Sequence, residues 1–169
     1  MTDKSTGKVR VSLTESPNGE ALVFYDDESK PRAAVALNKD GAPTLAFLDA
    51  AGPLKAAFGV RSDGQPSMVM VDNNPQIVFG IVKGFPVLAI MDEQGDPRVA
   101  LTVTAEHGVA LYSFDKDGHA SNLLATAGHA SKSEPEPPFS AKDIKEFALV
   151  TLGGATGAGL LELFHYLHL

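Results

Sequence analysis

Residues 84–103 read GFPVLAIMDEQGDPRVALTV and contain the pattern that decides the fold. A glycine turn at Gly84 leads into the apolar run 86–91, which ends at Asp92. A proline-containing turn follows, and a second apolar run covers residues 99–103. Each run is too short for a helix and is bounded by turn residues. The stretch therefore predicts two short β-strands joined by a tight turn and paired antiparallel.

The same unit recurs along the chain at a nearly constant period. The aspartates that end the apolar runs are spaced by 23, 23, 20 and 23 residues, and each run begins after a glycine turn. The glycines are Gly19, Gly41, Gly64, Gly84 and Gly108, and the aspartates are Asp26, Asp49, Asp72, Asp92 and Asp115. Such repetition predicts an all-β domain over residues 8–130, an antiparallel hairpin-repeat meander of about ten short strands.

The strands predict a covered sheet, because several of them hold consecutive apolar residues, as at 87–91. A sheet with one solvated face would alternate apolar and polar residues instead. We expect both faces to be covered by a second layer, by curling or closing of the sheet, or by another subunit. Closing would also remove free edge strands.

Composition narrows the possible partners and compartments. The 169-residue chain carries a net charge of −7 and no cysteine, which excludes thiolate metal sites, disulfides and cysteine nucleophiles. Acidic character argues against nucleic acid as a partner. The polar start, residues 1–7, predicts a disordered tail without a secretory signal, and hence a cytoplasmic location for the β domain.

After the β domain the composition changes. Residues 131–140 are polar and proline-rich, and this pattern predicts an extended linker. Ser140 followed by Asp143 resembles a capping box, so a helix should begin at Ala141. Residues 147–161 hold no charge, and residues 141–169 predict an apolar helix associated with a membrane or a membrane subunit.

Small residues four apart give this segment a predicted packing face for another helix, formed by Gly153, Gly154, Gly157 and Ala158. Glu162 should turn toward the same partner or the headgroups, since a carboxylate facing hydrocarbon is costly. Lys142 and Lys145 precede the apolar part, which favours anchoring from the cytoplasmic side. The alternative is a water-soluble helix buried against the β domain.

The sequence predicts no catalytic, cofactor or metal site. No nucleophile elbow or phosphate loop appears, and this absence predicts a protein that is not an enzyme. His165 is a candidate axial ligand for a haem or chlorophyll metal, with a histidine at the membrane interface as the alternative. The run 115–118 has acidic residues but lacks the remaining ligands of a calcium loop, so its aspartates should bond their own backbone.

The motif Asp-x-x-Gly-x-Pro-Arg, clearest at residues 92–98, resembles repeats of uncharacterised bacterial proteins over residues 8–125. The layout, a small β domain with one terminal apolar helix, is similar to that of accessory subunits of bacterial photosynthetic or respiratory membrane complexes. This similarity implies a non-catalytic subunit that stabilises or positions such a complex, for example a photosynthetic reaction centre with its antenna, and it allows a homo-oligomer. Two alternatives are a β-barrel module that binds a lipid or quinone, and a self-assembling fibre or spike.

Overall fold

A computed structural model describes residues 1–16, 19–38, 40–72, 74–104, 108–124 and 136–155. It contains eleven strands that lie in chain order in one antiparallel sheet, followed by one helix. The strands are β1 (Val11–Ser16), β2 (Gly19–Tyr25), β3 (Pro31–Asn38), β4 (Pro43–Leu48), β5 (Leu54–Val60), β6 (Pro66–Asp72), β7 (Asn74–Val82), β8 (Phe85–Met91), β9 (Pro97–Thr104), β10 (Gly108–Phe114) and β11 (Ala120–Asn122), and the helix is α1 (Ala141–Ala155). The predicted all-β hairpin meander is therefore confirmed.

The strand order begins at β1 and ends at β11 without returning to its start. Among the described strands the sheet is therefore open, and of the two predicted forms the closed one is wrong. The described residues divide into two compact units. Met1–Met68 with residues 151–155 is called the first unit below, and Val69–Val150 is called the second unit.

Both units have one buried face of small and medium side chains. In the first unit, neighbouring strands align Val23, Ala34, Ala46 and Ala57 in one row, and each is almost fully buried. The equivalent row of the second unit is Val78, Ala89, Ala100 and Tyr112. Small side chains allow close packing over this face, which accounts for the alanine content of the repeats.

One five-residue turn joins many of the hairpins and explains the repeated motif. At Asp92 the carboxylate oxygen Oδ1 accepts hydrogen bonds from the backbone N–H groups of Gln94 and Asp96, both at 2.9 Å. Gly95 adopts a positive φ of 74°, and Arg98 donates back to Asp92 Oδ2 from Nε at 2.7 Å. The expectation that turn aspartates bond their own backbone is confirmed here.

The same turn recurs along the chain with a different residue pair each time. Asp26 and Asp115 likewise accept hydrogen bonds from the backbone N–H groups two and four positions further on. In one turn Asn38 takes the place of the aspartate and accepts the same two bonds. The basic residue six positions after the aspartate also recurs, since Lys55 pairs with Asp49 at 3.7 Å. The repeat therefore encodes turn geometry, and its aspartates and arginines are used in holding hairpins closed.

The chain start differs from its prediction. Residues 1–7, predicted to be a disordered tail, instead fold back, with a bridge between Thr2 and Val9 and a turn in which Gly7 N donates to Asp3 O at 2.8 Å. Of the predicted linker 131–140, residues 131–135 lie outside the described ranges.

Helix α1 begins at Ala141, as the capping box predicts. Asp143 N donates to Ser140 Oγ at 3.2 Å, and Ser140 N donates to Asp143 Oδ2 at 2.7 Å. Phe139, Ile144, Phe147 and Ala148 are almost fully buried, whereas Leu149 and Val150 are exposed. No helix within the described ranges is both long enough and apolar enough to cross a bilayer.

Candidate interaction surface

The start of α1 is fixed to the second unit by ion pairs at both ends of β8. Lys83, in the turn before β8, pairs with Asp143 at 2.9 Å, and Lys145 pairs at 2.6 Å with Asp96, in the turn after β8. These two pairs hold the first helical turns in place along the strand direction. Part of the segment predicted for a membrane is thus folded onto the β domain, as the soluble-helix alternative expected.

An aromatic contact locates this helix start on the buried face of the sheet. The ring of Phe139 meets the ring of Tyr112 edge to face, with centroids 6.4 Å apart. Tyr112 belongs to the buried row of β10, and Ala141 lies beside Gly118 in the turn after β10. The contact joins the residue two positions before the helix to the core of the second unit.

The carboxyl groups of three turn aspartates and of Asp143 at the start of α1 have a pKa below the ordinary aspartate value. A backbone hydrogen bond from the residue four positions on lowers the pKa of Asp26, Asp92 and Asp115. Burial acts to raise the pKa of Asp143, but hydrogen bonds from Ser140 and Lys83 outweigh it and lower the pKa. These carboxylates stabilise the folded chain in their ionised form.

We expect the melting temperature to fall as the pH drops below about 4, the ordinary aspartate pKa. A lowered folded-state pKa gives stability above the unfolded pKa, and this stability is lost as the pH falls through the folded value. A triple variant D26N/D92N/D115N keeps a carbonyl acceptor in each turn and should show a shallower fall. Thermal melts from pH 6 to pH 3 test this, and equal slopes in both proteins would contradict it.

One cluster in the second unit has metal-ligand chemistry. Ligand atoms of Asp115, Asp117 and His119 lie within 4.8 Å of one another, and all three residues are exposed. Their hydrogen bonds already belong to the turn, because His119 Nδ1 lies 3.1 Å from Asp115 Oδ2 and Lys116 pairs with Asp117 at 2.9 Å. The sequence had grouped the aspartates but had not included His119. Exposed turn groups of this kind do not by themselves form a metal site.

The predicted helix-packing residues are only partly within the structure. Gly153 and Gly154 lie in the last turn of α1, four positions or fewer after Val150. Gly157, Ala158, Glu162 and the candidate ligand His165 lie outside the described residues.

The outer face of the first unit exposes aromatic side chains, which the sequence had not indicated. One row across β2 to β5 reads Phe24, Ala33, Phe47 and Ala56, so that large and small residues alternate. Phe24, Phe47 and neighbouring Phe58 keep between 42 and 54% of their surface exposed. This row is therefore corrugated, with aromatic ridges separated by troughs at the alanines. The adjacent row of the same face holds only large side chains, namely Leu22, Val35, Leu45 and Phe58. We call this surface the aromatic face.

The second unit has an outer face of different texture. One row across β7 to β10 reads Phe79, Leu88, Leu101 and Leu111, with no small residue among them. A second row continues the pattern with Ile77, Ile90 and Val99. We call this evenly filled, largely aliphatic surface the aliphatic face.

Within the single chain one sheet face is buried and the other is exposed. Coverage of the exposed face by another subunit stays a prediction. Isolated apolar residues at a surface are ordinary, whereas contiguous rows across several strands mark interaction sites. Sequence reasoning had the signal, since the consecutive apolar residues predicted two apolar faces. It could not tell which face would remain open.

Comparison of the sequence with models of protein families gives no match, and comparison with curated proteins gives none. The functional conclusion consequently rests on the surfaces described above.

Proposed function

We propose that this chain is a non-catalytic accessory subunit that stabilises or positions a larger protein complex, which it binds through the aromatic face of the first unit. The observation that carries this proposal is the row Phe24, Ala33, Phe47 and Ala56 at the surface. Aromatic residues that project from a rigid scaffold are the side chains most often found at the centres of protein interfaces.

The geometry of the row supports an apolar segment of a different subunit as the occupant. The troughs at Ala33 and Ala56 leave room for side chains that enter from a partner, and the phenylalanine ridges flank them. Hydrogen bonds between paired strands fix the backbone under the ridges, so little backbone entropy is lost on binding. The sheet order also favours this proposal over a lipid or quinone carrier, because that alternative relied on a closed sheet and the sheet is open.

The finer proposal is that the partner is a membrane complex on whose cytoplasmic side the β domain sits. Its support is the sequence that follows α1, in which residues 156–169 carry one acidic residue and no lysine or arginine. Similarity of layout to photosynthetic and respiratory accessory subunits supports a membrane complex as the class. It does not select one complex.

The test of the interface is affinity purification of the tagged full-length chain from its own cells in mild detergent. The wild-type chain should bring down at least one other subunit in fixed stoichiometry. The variant F47S should weaken that association more than about tenfold, as expected for a hot-spot residue. L124S is the matched control, because Leu124 is similarly exposed but lies after β11.

Retention of the partner by F47S at wild-type stoichiometry would contradict the proposal. A chain ending at Ala155 tests the membrane part separately, because it keeps the whole of α1 and removes only residues 156–169. We expect the shortened chain that also carries F47S to leave the membrane fraction, whereas full-length F47S stays on membranes through its tail. Equal retention of both proteins on membranes would show that the tail is not the anchor.

A further inference from the structure

We infer that the aliphatic face of the second unit binds the same face of a second copy of this chain, which gives a symmetric dimer. The inference does not depend on the partner proposed for the aromatic face, and the two surfaces belong to different units.

The texture of the aliphatic face argues for a flat partner. From β7 to β10 most outer positions hold large side chains, and Ser113 of β10, which pairs with Val99, is a small exception. There are therefore few troughs into which a partner could insert its own side chains. Two such faces can stack as the sheets of a β-sandwich do, about 10 Å apart, with their side chains interdigitating. A two-fold axis brings identical surfaces together, so the simplest complement of this face is the face itself.

The charge distribution favours a copy over a charged partner. Arg98 is the one charged residue in the sequences of β7 to β10, and its guanidinium pairs with Asp92 at 2.5 Å. Two charge pairs in the turns at the ends of β8 are also closed, Lys83–Asp143 and Lys145–Asp96. Two copies can therefore approach without bringing unpaired like charges together at this face, despite a net charge of −7 for each chain.

The available area is sufficient for a modest dimer. Six side chains of the face keep between 38 and 59% of their surface exposed, namely Phe79, Leu88, Ile90, Leu101, Val103 and Val109. At about 150–200 Å² for each large apolar side chain they offer on the order of 500 Å² per copy. Two copies would bury about 1,000 Å², near the lower limit for specific interfaces, so the dimer should dissociate on dilution.

The test begins with sedimentation equilibrium of the purified full-length chain over a hundredfold range of concentration. The wild-type chain should pass from monomer to dimer, and L101E should raise the dissociation constant at least tenfold. F47E, which places the same charge on the aromatic face, should leave the dimer unchanged. Circular dichroism of each variant establishes that it is folded.

Cysteine trapping gives a second readout that does not depend on a disruptive substitution. The chain has no cysteine, so L101C introduces the only thiol. Leu101 lies opposite Leu88 at the centre of the face, where residues of two copies meet near a two-fold axis. We expect L101C to form a disulfide-linked dimer under mild oxidation and F58C, on the aromatic face, to form little.

Three results would overturn the inference. The wild-type chain could remain monomeric over the whole range, a dimer could persist unchanged in L101E, or L101C could cross-link no faster than F58C. Binding of phosphatidylcholine vesicles in place of self-association, lost in L101E, would assign the face to lipid and would equally refute the dimer. These experiments are independent of the F47S test, because that variant changes the aromatic face and not the aliphatic face.

Discussion

Replacing Ile144 with alanine is expected to lower the free energy of unfolding by about 3 kcal/mol, as for other large-to-small changes in protein cores. Ile144 lies in the second turn of α1 and has no exposed surface. Lys83 and Lys145 hold this part of the helix against the second unit through their ion pairs, so the cavity left by the substitution cannot easily collapse. Urea denaturation followed by far-ultraviolet circular dichroism measures the loss.

L149A is the control in the same helix, because Leu149 is 56% exposed. It should change the free energy of unfolding by less than about 0.5 kcal/mol. If I144A cost no more than L149A, the helix would not be packed on the β domain. The membrane-helix interpretation would then apply to the whole of α1.

Replacing Gly19 with alanine is expected to cost more than about 3 kcal/mol, because strain and steric overlap act together. Gly19 starts β2 with a φ of 130°, a conformation that side chains rarely adopt. A Cβ atom there would overlap the carbonyl oxygen of Leu37 in the paired strand β3. Since the obstacle is backbone, relief would require β2 and β3 to separate locally.

G64A separates strain from overlap. Gly64 also has a positive φ, 80°, but a Cβ atom there would meet no atom within 4 Å. The substitution should cost only the conformational penalty, about 1–2 kcal/mol. Equal losses for G19A and G64A in chemical denaturation would contradict the register of β2 against β3.

Much of the fold could be predicted from local signals in the sequence. The glycine, proline and arginine of the motif, as at Gly95, Pro97 and Arg98, each serve the turn. The glycine adopts a positive φ, the proline begins the next strand, and the arginine donates to the turn aspartate. Ser140 and Asp143 likewise predicted the first residue of α1, because capping depends only on neighbours in the chain. These features are local, and the structure has them where the sequence indicated.

Features that depend on contacts between distant residues could not be predicted. Asn18-Gly19 indicates a turn, but the close approach of Leu37 depends on the pairing of β2 with β3. Residues 147–151 contain no charged residue and are compatible with a membrane helix. In the structure, however, Phe147 and Ala148 are buried and Leu149 is exposed. Apolar character alone does not distinguish lipid from a protein core, and the contacts between α1 and the sheet, such as Lys145 with Asp96, join residues 49 positions apart.

The same limit applies to the candidate surfaces. Consecutive apolar residues predicted that both sides of each strand would avoid water, and they could not show that the alanine side would be the buried one. The alternation of Phe24, Ala33, Phe47 and Ala56 becomes visible only after the strand register is known, because these residues come from four different strands.

If the aromatic face is covered by another subunit in the native complex, its phenylalanines should react more slowly there than in the free chain. Hydroxyl-radical footprinting measures this by comparing the oxidation rates of Phe24, Phe47 and Phe58 in the purified chain and in the complex isolated from cells. We expect all three rates to fall several-fold in the complex. Equal rates in the two samples would mean that the aromatic face stays open, and would contradict the proposed function.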